Sequence, residues 1–146
     1  MLCGGCTLCC TLFLVDWLKK PVNTECVHCV DNKCDIHETK PEECSGFDCM
    51  YAQHEKAPTD LRPDNINVVF EKVSDSIIFG LQDYRKEITD TGKRQIQAFL
   101  EQGFSVIFTD AKTGKNRMFV SENHDSDEVK KEFTNHLRKR YGSSNI

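Results

Sequence analysis

Apolar and polar residues alternate with two distinct periods along the second half of the chain. Ile66, Val68 and Phe70 recur at every second position, the pattern of a half-buried strand. Ser74-Asp75-Ser76 can turn the chain into a second strand over residues 77–81. From about residue 91 to 102 the period changes. Ile96, Phe99 and Leu100 share one helical face, and Gly103 suits the left-handed position beyond the helix end. Residues 104–109 read as a strand, 111–115 with Gly114 as a turn, and 117–120 as the returning strand. A last helix follows, with Ser126 as the expected N-cap, Asp127 and Glu128 in the first turn, and Val129, Phe133 and Leu137 as its inner face. The order strand, strand, helix, strand, strand, helix predicts an α+β fold. Its core is a four-stranded, largely antiparallel sheet with two helices; a small antiparallel or mixed sheet with both helices on one face satisfies the order.

The first half reads differently. Nine cysteines lie between Cys3 and Cys49, and the 97 residues after Cys49 contain none. All four prolines precede Asp64. Residues 1–65 carry six basic and eleven acidic side chains, whereas residues 66–146 carry thirteen and twelve. Residues 55–65, with Pro58, Asp60, Pro63 and Asp64, read as a connecting loop. The chain of 146 residues therefore divides into a cysteine-cluster region, 1–65, and a small α+β region, 66–146.

Overall composition narrows the possibilities. Hydrophobic residues at 38% and charged residues at 29% exclude a disordered or membrane-embedded chain. A net charge of -4 argues against binding nucleic acid through phosphate charge. The apolar run over residues 8–18 is interrupted by Cys9, Cys10 and Asp16, has no basic residue before it, and falls short of the roughly 20 apolar residues a bilayer span needs. No secretory signal or membrane anchor is expected, and a reducing, cytoplasmic setting is. In that setting dense cysteines point to metal or redox chemistry rather than structural disulfides.

The spacing of the cysteines carries the chemistry. Cys3 to Cys6, Cys6 to Cys9, and Cys26 to Cys29 are each Cys-x-x-Cys units. Such a unit matters because a tight turn aims both sulfurs at one point, while its backbone N–H groups can donate to the thiolates. Several in fifty residues point to bound metal. Cys6, Cys9, Cys26 and Cys29 fit a zinc-ribbon spacing, with tetrahedral thiolate coordination at about 2.3 Å per bond. Cys3, Cys10, Cys34, Cys44 and Cys49 suffice for a second centre. Cys3, Cys6 and Cys9 also reproduce the first three ligands of a bacterial ferredoxin run, but Cys10 breaks it and no Cys-Pro follows. Structural zinc is favoured over an iron–sulfur centre, and spacing alone does not choose. Inert core thiols would leave the crowding unexplained, and a disulfide scaffold would leave one of nine cysteines over. Residues 1–50 also hold few large apolar side chains, so metal is the expected source of their fold.

The run from Cys3 to Cys10 resembles the opening of the zinc- or iron-chelating CxxCxxCC family, the YkgJ-type cysteine-cluster proteins. The likeness continues through Lys20-Pro21, residues 25–29, residues 32–36, Lys40-Pro41, Glu43-Cys44, residues 46–49 and residues 61–64. It spans about residues 3–70. It implies a small cytosolic bacterial or phage protein that chelates zinc or iron, in a family whose biochemical role is largely undefined. All nine cysteines fall on the family's cysteine positions: Cys3, Cys6, Cys9, Cys10, Cys26, Cys29, Cys34, Cys44 and Cys49. His37 stands where the family often has Tyr, Lys40 where it has Arg, and Tyr51 lies near the place of its usual Trp.

The remaining residues add less. His28 could replace a cysteine in a three-cysteine, one-histidine site, or donate to a thiolate; His37 has the same ambiguity. His54, His124 and His136 stand alone and read as surface residues. Arg138-Lys139-Arg140 could touch nucleic acid, but cations in a helix's last turn complement its dipole, and Asp125, Asp127, Glu128 and Glu132 dilute the patch. Lys112 to Lys115 lacks the context of a phosphate loop and reads as a hairpin turn. No Ser/His/Asp set and no paired carboxylates stand out, so the sequence does not indicate an enzyme.

Overall fold

Two central strands that are apolar on both faces organise the fold. In the computed structural model, which describes residues 6–31, 33–45, 49–54, 56–110 and 113–141, four strands form one sheet. They are β3 (Val68–Lys72), β4 (Ile77–Gln82), β5 (Ser105–Asp110) and β6 (Asn116–Phe119), in that spatial order. β3 pairs antiparallel with β4, and β5 with β6. β4 and β5 run parallel, with Ile77 opposite Ser105 and Gln82 opposite Asp110. A parallel pair needs a crossover rather than a tight turn. Helix α5 (Asp90–Glu101) lies between the two strands in the chain. The expected α+β class and order of elements hold, and the sheet is mixed because of this one pair.

The two helices do not share a face. Ile96 and Phe99 of α5 pack with Val68, Phe70, Ile78, Val106 and Phe108. Val129 and Phe133 of α6 (Ser126–Tyr141) pack with Ile77, Phe79 and Ile107 on the opposite side. Consecutive apolar residues in β4 and β5 are the physical reason. A strand that reads Ile-Ile-Phe or Val-Ile-Phe presents an oily surface on both sides, so both must be covered.

Local signals set the ends of these elements. Thr89 caps α5 by accepting from the Gly92 N–H at 3.1 Å. The cap of α6 is Asp125 rather than Ser126: its Oδ2 accepts from the Glu128 N–H at 3.1 Å, and Ser126 is already helical. Gly103 has φ +96° after α5, as its position predicts. Gly114 has φ +70° in the β5–β6 hairpin, where Asp110 N–H donates to the Lys115 carbonyl at 2.9 Å. Ala111 and Lys112 of that turn lie outside the described residues. Ile66 closes a short helix, α4 (Pro63–Ile66), instead of opening a strand. The segment expected as a plain connecting loop also holds a 3-10 turn over Thr59–Leu61.

The cysteine-rich part consists of short elements: α1 (Leu8–Leu12), the hairpin β1 (Cys29–Val30) and β2 (Lys33–Cys34), α2 (Glu42–Ser45) and α3 (Met50–Gln53). Its apolar residues form no separate core. Leu8, Leu12, Phe13, Cys49 and Ala52 cluster with Val69 of β3, and Leu81 and Tyr84 pack against them. They cover the part of the sheet's α6 side nearest β3. Cys49 also bridges Glu71 through its backbone and so occupies the outer edge of β3. No described helix is long and apolar enough to cross a membrane.

Gly80 marks the tightest point of the sheet. It sits between Phe70 and Phe108 on neighbouring strands, and a Cβ there would lie 2.9 Å from the Phe70 ring and 3.2 Å from the Phe108 ring. The Phe70 ring is itself held edge-on by Phe99, 5.1 Å between centroids. Gly80→Ala is expected to destabilise the fold by about 1–3 kcal/mol through overpacking. Chemical denaturation of the two proteins measures this, and equal midpoints would show that the rings can yield.

Candidate metal centre

Three backbone contacts position the cysteines, and one of them brings two separate segments together. α1 carries Cys9 and Cys10, and the Cys10 N–H donates to the Thr7 carbonyl at 3.0 Å. The Cys26 N–H donates to the Cys10 carbonyl at 3.0 Å, which seats the second cysteine segment against the first. The Cys29 N–H donates to the Cys26 carbonyl at 3.0 Å, closing the expected Cys-x-x-Cys turn. The β1–β2 hairpin then places Cys34 directly opposite Cys29, with both side chains on one face. Asp31 has φ +51° in its turn.

Cys10 is the thiol with the most sulfur neighbours among those whose surroundings are resolved. Its thiol makes hydrogen-bonding contact with the thiols of Cys9 and Cys29. The contact with Cys9 lowers its pKa first; the charges of Lys20 and Lys40 and the contact with Cys29 add to this, against burial. The pKa falls from 9.0 to about 7. Burial raises that of Cys29, although the Thr7 hydroxyl lies within hydrogen-bonding reach. The ammonium of Lys20 acts on the thiols of Cys26, Cys10, Cys44 and Cys9 together.

Cys6 has different surroundings. It contacts the backbone N–H groups of Leu8 and Asp64, and the Asp64 carboxylate and Cys49 lie close enough to act on its charge. Burial dominates there and pushes its pKa up to about 11. Asp64 is held by Arg62, whose Nε donates to Oδ1 at 2.6 Å and whose second guanidinium nitrogen donates to Oδ2 at 2.9 Å. The four cysteines of the ribbon spacing are thus divided: Cys9 and Cys29 gather at Cys10, with Cys26 beside them, and Cys6 goes to Cys49. Cys3 lies outside the described residues.

The donor chemistry suits a soft, thiophilic cation. No disulfide links the described cysteines, and the thiols at Cys10 come from two distant segments. Among the described residues, no three His, Cys, Asp or Glu side chains are arranged so that they could hold an ion together. The histidines face elsewhere. His28 Nδ1 lies 2.9 Å from Asp35 Oδ1, and the Lys40 ammonium donates to His37 Nε2 at 3.2 Å. His124 and His136 are not plain surface residues. His124 Nδ1 pairs with the Ser105 hydroxyl at 2.7 Å, and His136 Nε2 is buried 3.8 Å from Glu71 Oε2. The Ser105 hydroxyl of that pair is sealed, since Ser105 is 0% exposed and its oxygen also accepts from the Ser121 N–H at 2.9 Å. It offers no nucleophile to a substrate.

Lys20 is the residue that spacing rules pass over. Its sequence signal is weak: a lysine after an apolar run, followed by proline. Its side chain turns inward to reach α1, nine residues back at Thr11. Compared with protein-family models, with curated proteins and with solved structures, the chain matches none.

The thiol environments predict unequal reactivity in metal-free protein. Alkylation depends on the thiolate, so Cys10 is expected to react with iodoacetamide half-maximally near pH 7. Cys6 should stay protected until the pH approaches about 11. Peptide mass mapping across a pH series checks this. Parallel alkylation of the two cysteines would show that their surroundings do not differ as described.

Proposed function

We propose that this protein chelates a thiophilic metal ion through its N-terminal cysteines, and that the metal is mainly structural. Zinc is the ion this reading favours. The observation that carries it is the contact of the Cys10 thiol with those of Cys9 and Cys29, in the field of a lysine that also acts on Cys26 and Cys44. Packing alone does not call for that convergence of soft donors. The resemblance of residues 3–70 to zinc- or iron-chelating CxxCxxCC proteins supports the same reading. Cys9, Cys10, Cys26 and Cys29 are the first choice of ligands, with Cys44 and Cys34 adjoining them. Cys6 and Cys49 are the described donors left for a second centre. A bound zinc ion would hold the short elements together, at an apparent roughly 10–16 kcal/mol for a structural site. A reducing, cytoplasmic compartment would keep these thiols available.

Anaerobic purification followed by elemental analysis and a visible spectrum tests the reading. A colourless protein with at least one equivalent of zinc is expected. A brown protein with iron would replace zinc by an iron–sulfur centre. A metal-free protein whose first fifty residues resist protease would overturn chelation altogether.

Cys29→Ser is expected to weaken zinc binding by more than the roughly 10–100-fold that loss of a supporting partner costs. It should also open residues 6–50 to protease while the sheet region keeps its circular dichroism. Unchanged zinc affinity and proteolysis would remove Cys29 from the ligand set.

A further inference from the structure

The hairpin of β1 and β2 sets two cysteines side by side. Cys29 pairs with Cys34, and Val30 with Lys33, in antiparallel register. The backbone bonds identify the kind of pair. The Asp35 N–H donates to the His28 carbonyl at 2.9 Å, one step outside the cysteines. The Cys29 N–H turns away from Cys34 and donates to the Cys26 carbonyl at 3.0 Å. Cys29 and Cys34 are therefore a non-hydrogen-bonded pair, the closer of the two kinds, with Cα atoms about 4.5 Å apart. A disulfide takes Cα separations of about 4.4–6.8 Å, so the strands need no rearrangement. Cβ atoms across such a pair lie about 4.5–5.5 Å apart, slightly wider than the ~3.5–4.5 Å of a relaxed disulfide. A bond across them is within reach and strained. His28 Nδ1, 2.9 Å from Asp35 Oδ1, holds the neighbouring pair in the same register. Both thiols are free and half-buried, open to a small oxidant.

We propose that Cys29 and Cys34 form a redox modification site, a cross-strand dithiol that a small disulfide of the glutathione class converts reversibly to a disulfide. The site needs no metal and stands apart from the chelation reading. One thiolate of the pair attacks a sulfur of glutathione disulfide, breaks its S–S bond and releases one glutathione thiol. The second cysteine attacks the mixed disulfide, forms the Cys29–Cys34 bond and expels the other glutathione. The two cysteines lose two electrons and two protons, and the glutathione disulfide takes up both to become two thiols. A loop as short as residues 29–34 gains little from closure, and a strained disulfide is readily reduced. The bond therefore suits switching and not holding the fold. Cys26 and Cys10 are the competing partners. A turn holds Cys26 only within about 7 Å of Cys29, Cα to Cα, and Cys10 lies on a separate segment. The strand register holds Cys34 closer.

The full chain, both as isolated and stripped of metal by a chelator, is equilibrated with glutathione buffers of rising oxidised fraction. Remaining thiols are then blocked with iodoacetamide and the linked peptides mapped by mass spectrometry. Cys29–Cys34 is expected as the first internal disulfide of the stripped protein, and it should open fully in excess reduced glutathione. The preference should vanish in urea, because only the folded hairpin sets the register. Cys34→Ser should stop Cys29 at its mixed disulfide with glutathione. A first disulfide from Cys29 to Cys26 or Cys10, the same pairing preference in urea, or thiols that stay reduced in fully oxidised glutathione would each overturn the proposal. Where stripping unfolds the chain by circular dichroism, the as-isolated sample decides by the same criteria. A protein that binds no zinc and still forms the bond would sink chelation alone.

Discussion

The parallel pairing of β4 with β5 is the constraint on which the rest of the structure depends. Both strands are apolar on both sides, with Ile77, Ile78, Phe79, Val106, Ile107 and Phe108 all buried. Covering one side takes α5, the crossover helix. Covering the other takes more than α6, whose Val129 and Phe133 reach Phe79 and Ile107 but leave Val69 to other partners. Leu8, Leu12 and Phe13 of the cysteine-rich segment pack there. Burying a Leu or Phe side chain contributes about 1.5–3 kcal/mol, so three of them give that segment a firm seat even though it has little core of its own. The sheet thereby decides where α1 lies, and α1 decides where Cys9 and Cys10 lie.

Electrostatics then act on a backbone already held in place. The Cys26 N–H reaches the Cys10 carbonyl, and Lys20 reaches the last carbonyls of α1. Each bond satisfies a polar group that burial would otherwise leave costly. The cysteine segment is therefore held by apolar seating on one side and by a small set of buried polar bonds on the other. Cys49 takes part in the apolar seating, and Cys6 and Cys9 pack against it.

Much of the second half was legible because its signals are local. Period-two alternation gave β3 from Val68, apolar runs gave β4 and β5, and Gly103 and Gly114 took the positive φ angles that their positions demand. Where reading failed, a non-local contact won. Ile66 continues the apolar alternation of β3, yet it lies in α4, buried with Val68 and Phe70 against α5. Ser126 looked like a cap, but Asp125 is one residue earlier and its carboxylate binds the helix N–H more strongly than a hydroxyl would. Two helices on one face looked sufficient because helical periodicity says which side of a helix is apolar, and not which side of the sheet it meets.

Cysteine spacing illustrates the limit most sharply. Cys3-x-x-Cys6 and Cys6-x-x-Cys9 are equivalent patterns on paper. In the fold, α1 carries Cys9 and Cys10 while Cys6 lies before it, so neighbours in sequence need not be neighbours in charge. Cys10 meets Cys9, Cys29 and two lysines; Cys6 meets Asp64 and Cys49. The resulting pKa values, about 7 and about 11, differ by about four units between thiols four residues apart. A metal competes with protons for thiolates, so the Cys10 neighbourhood is poised to give up protons at neutral pH and the Cys6 neighbourhood is not. Spacing identifies which residues could be ligands. How readily each gives up its proton is set by neighbouring thiols, burial and nearby lysines, and these are properties of the folded chain.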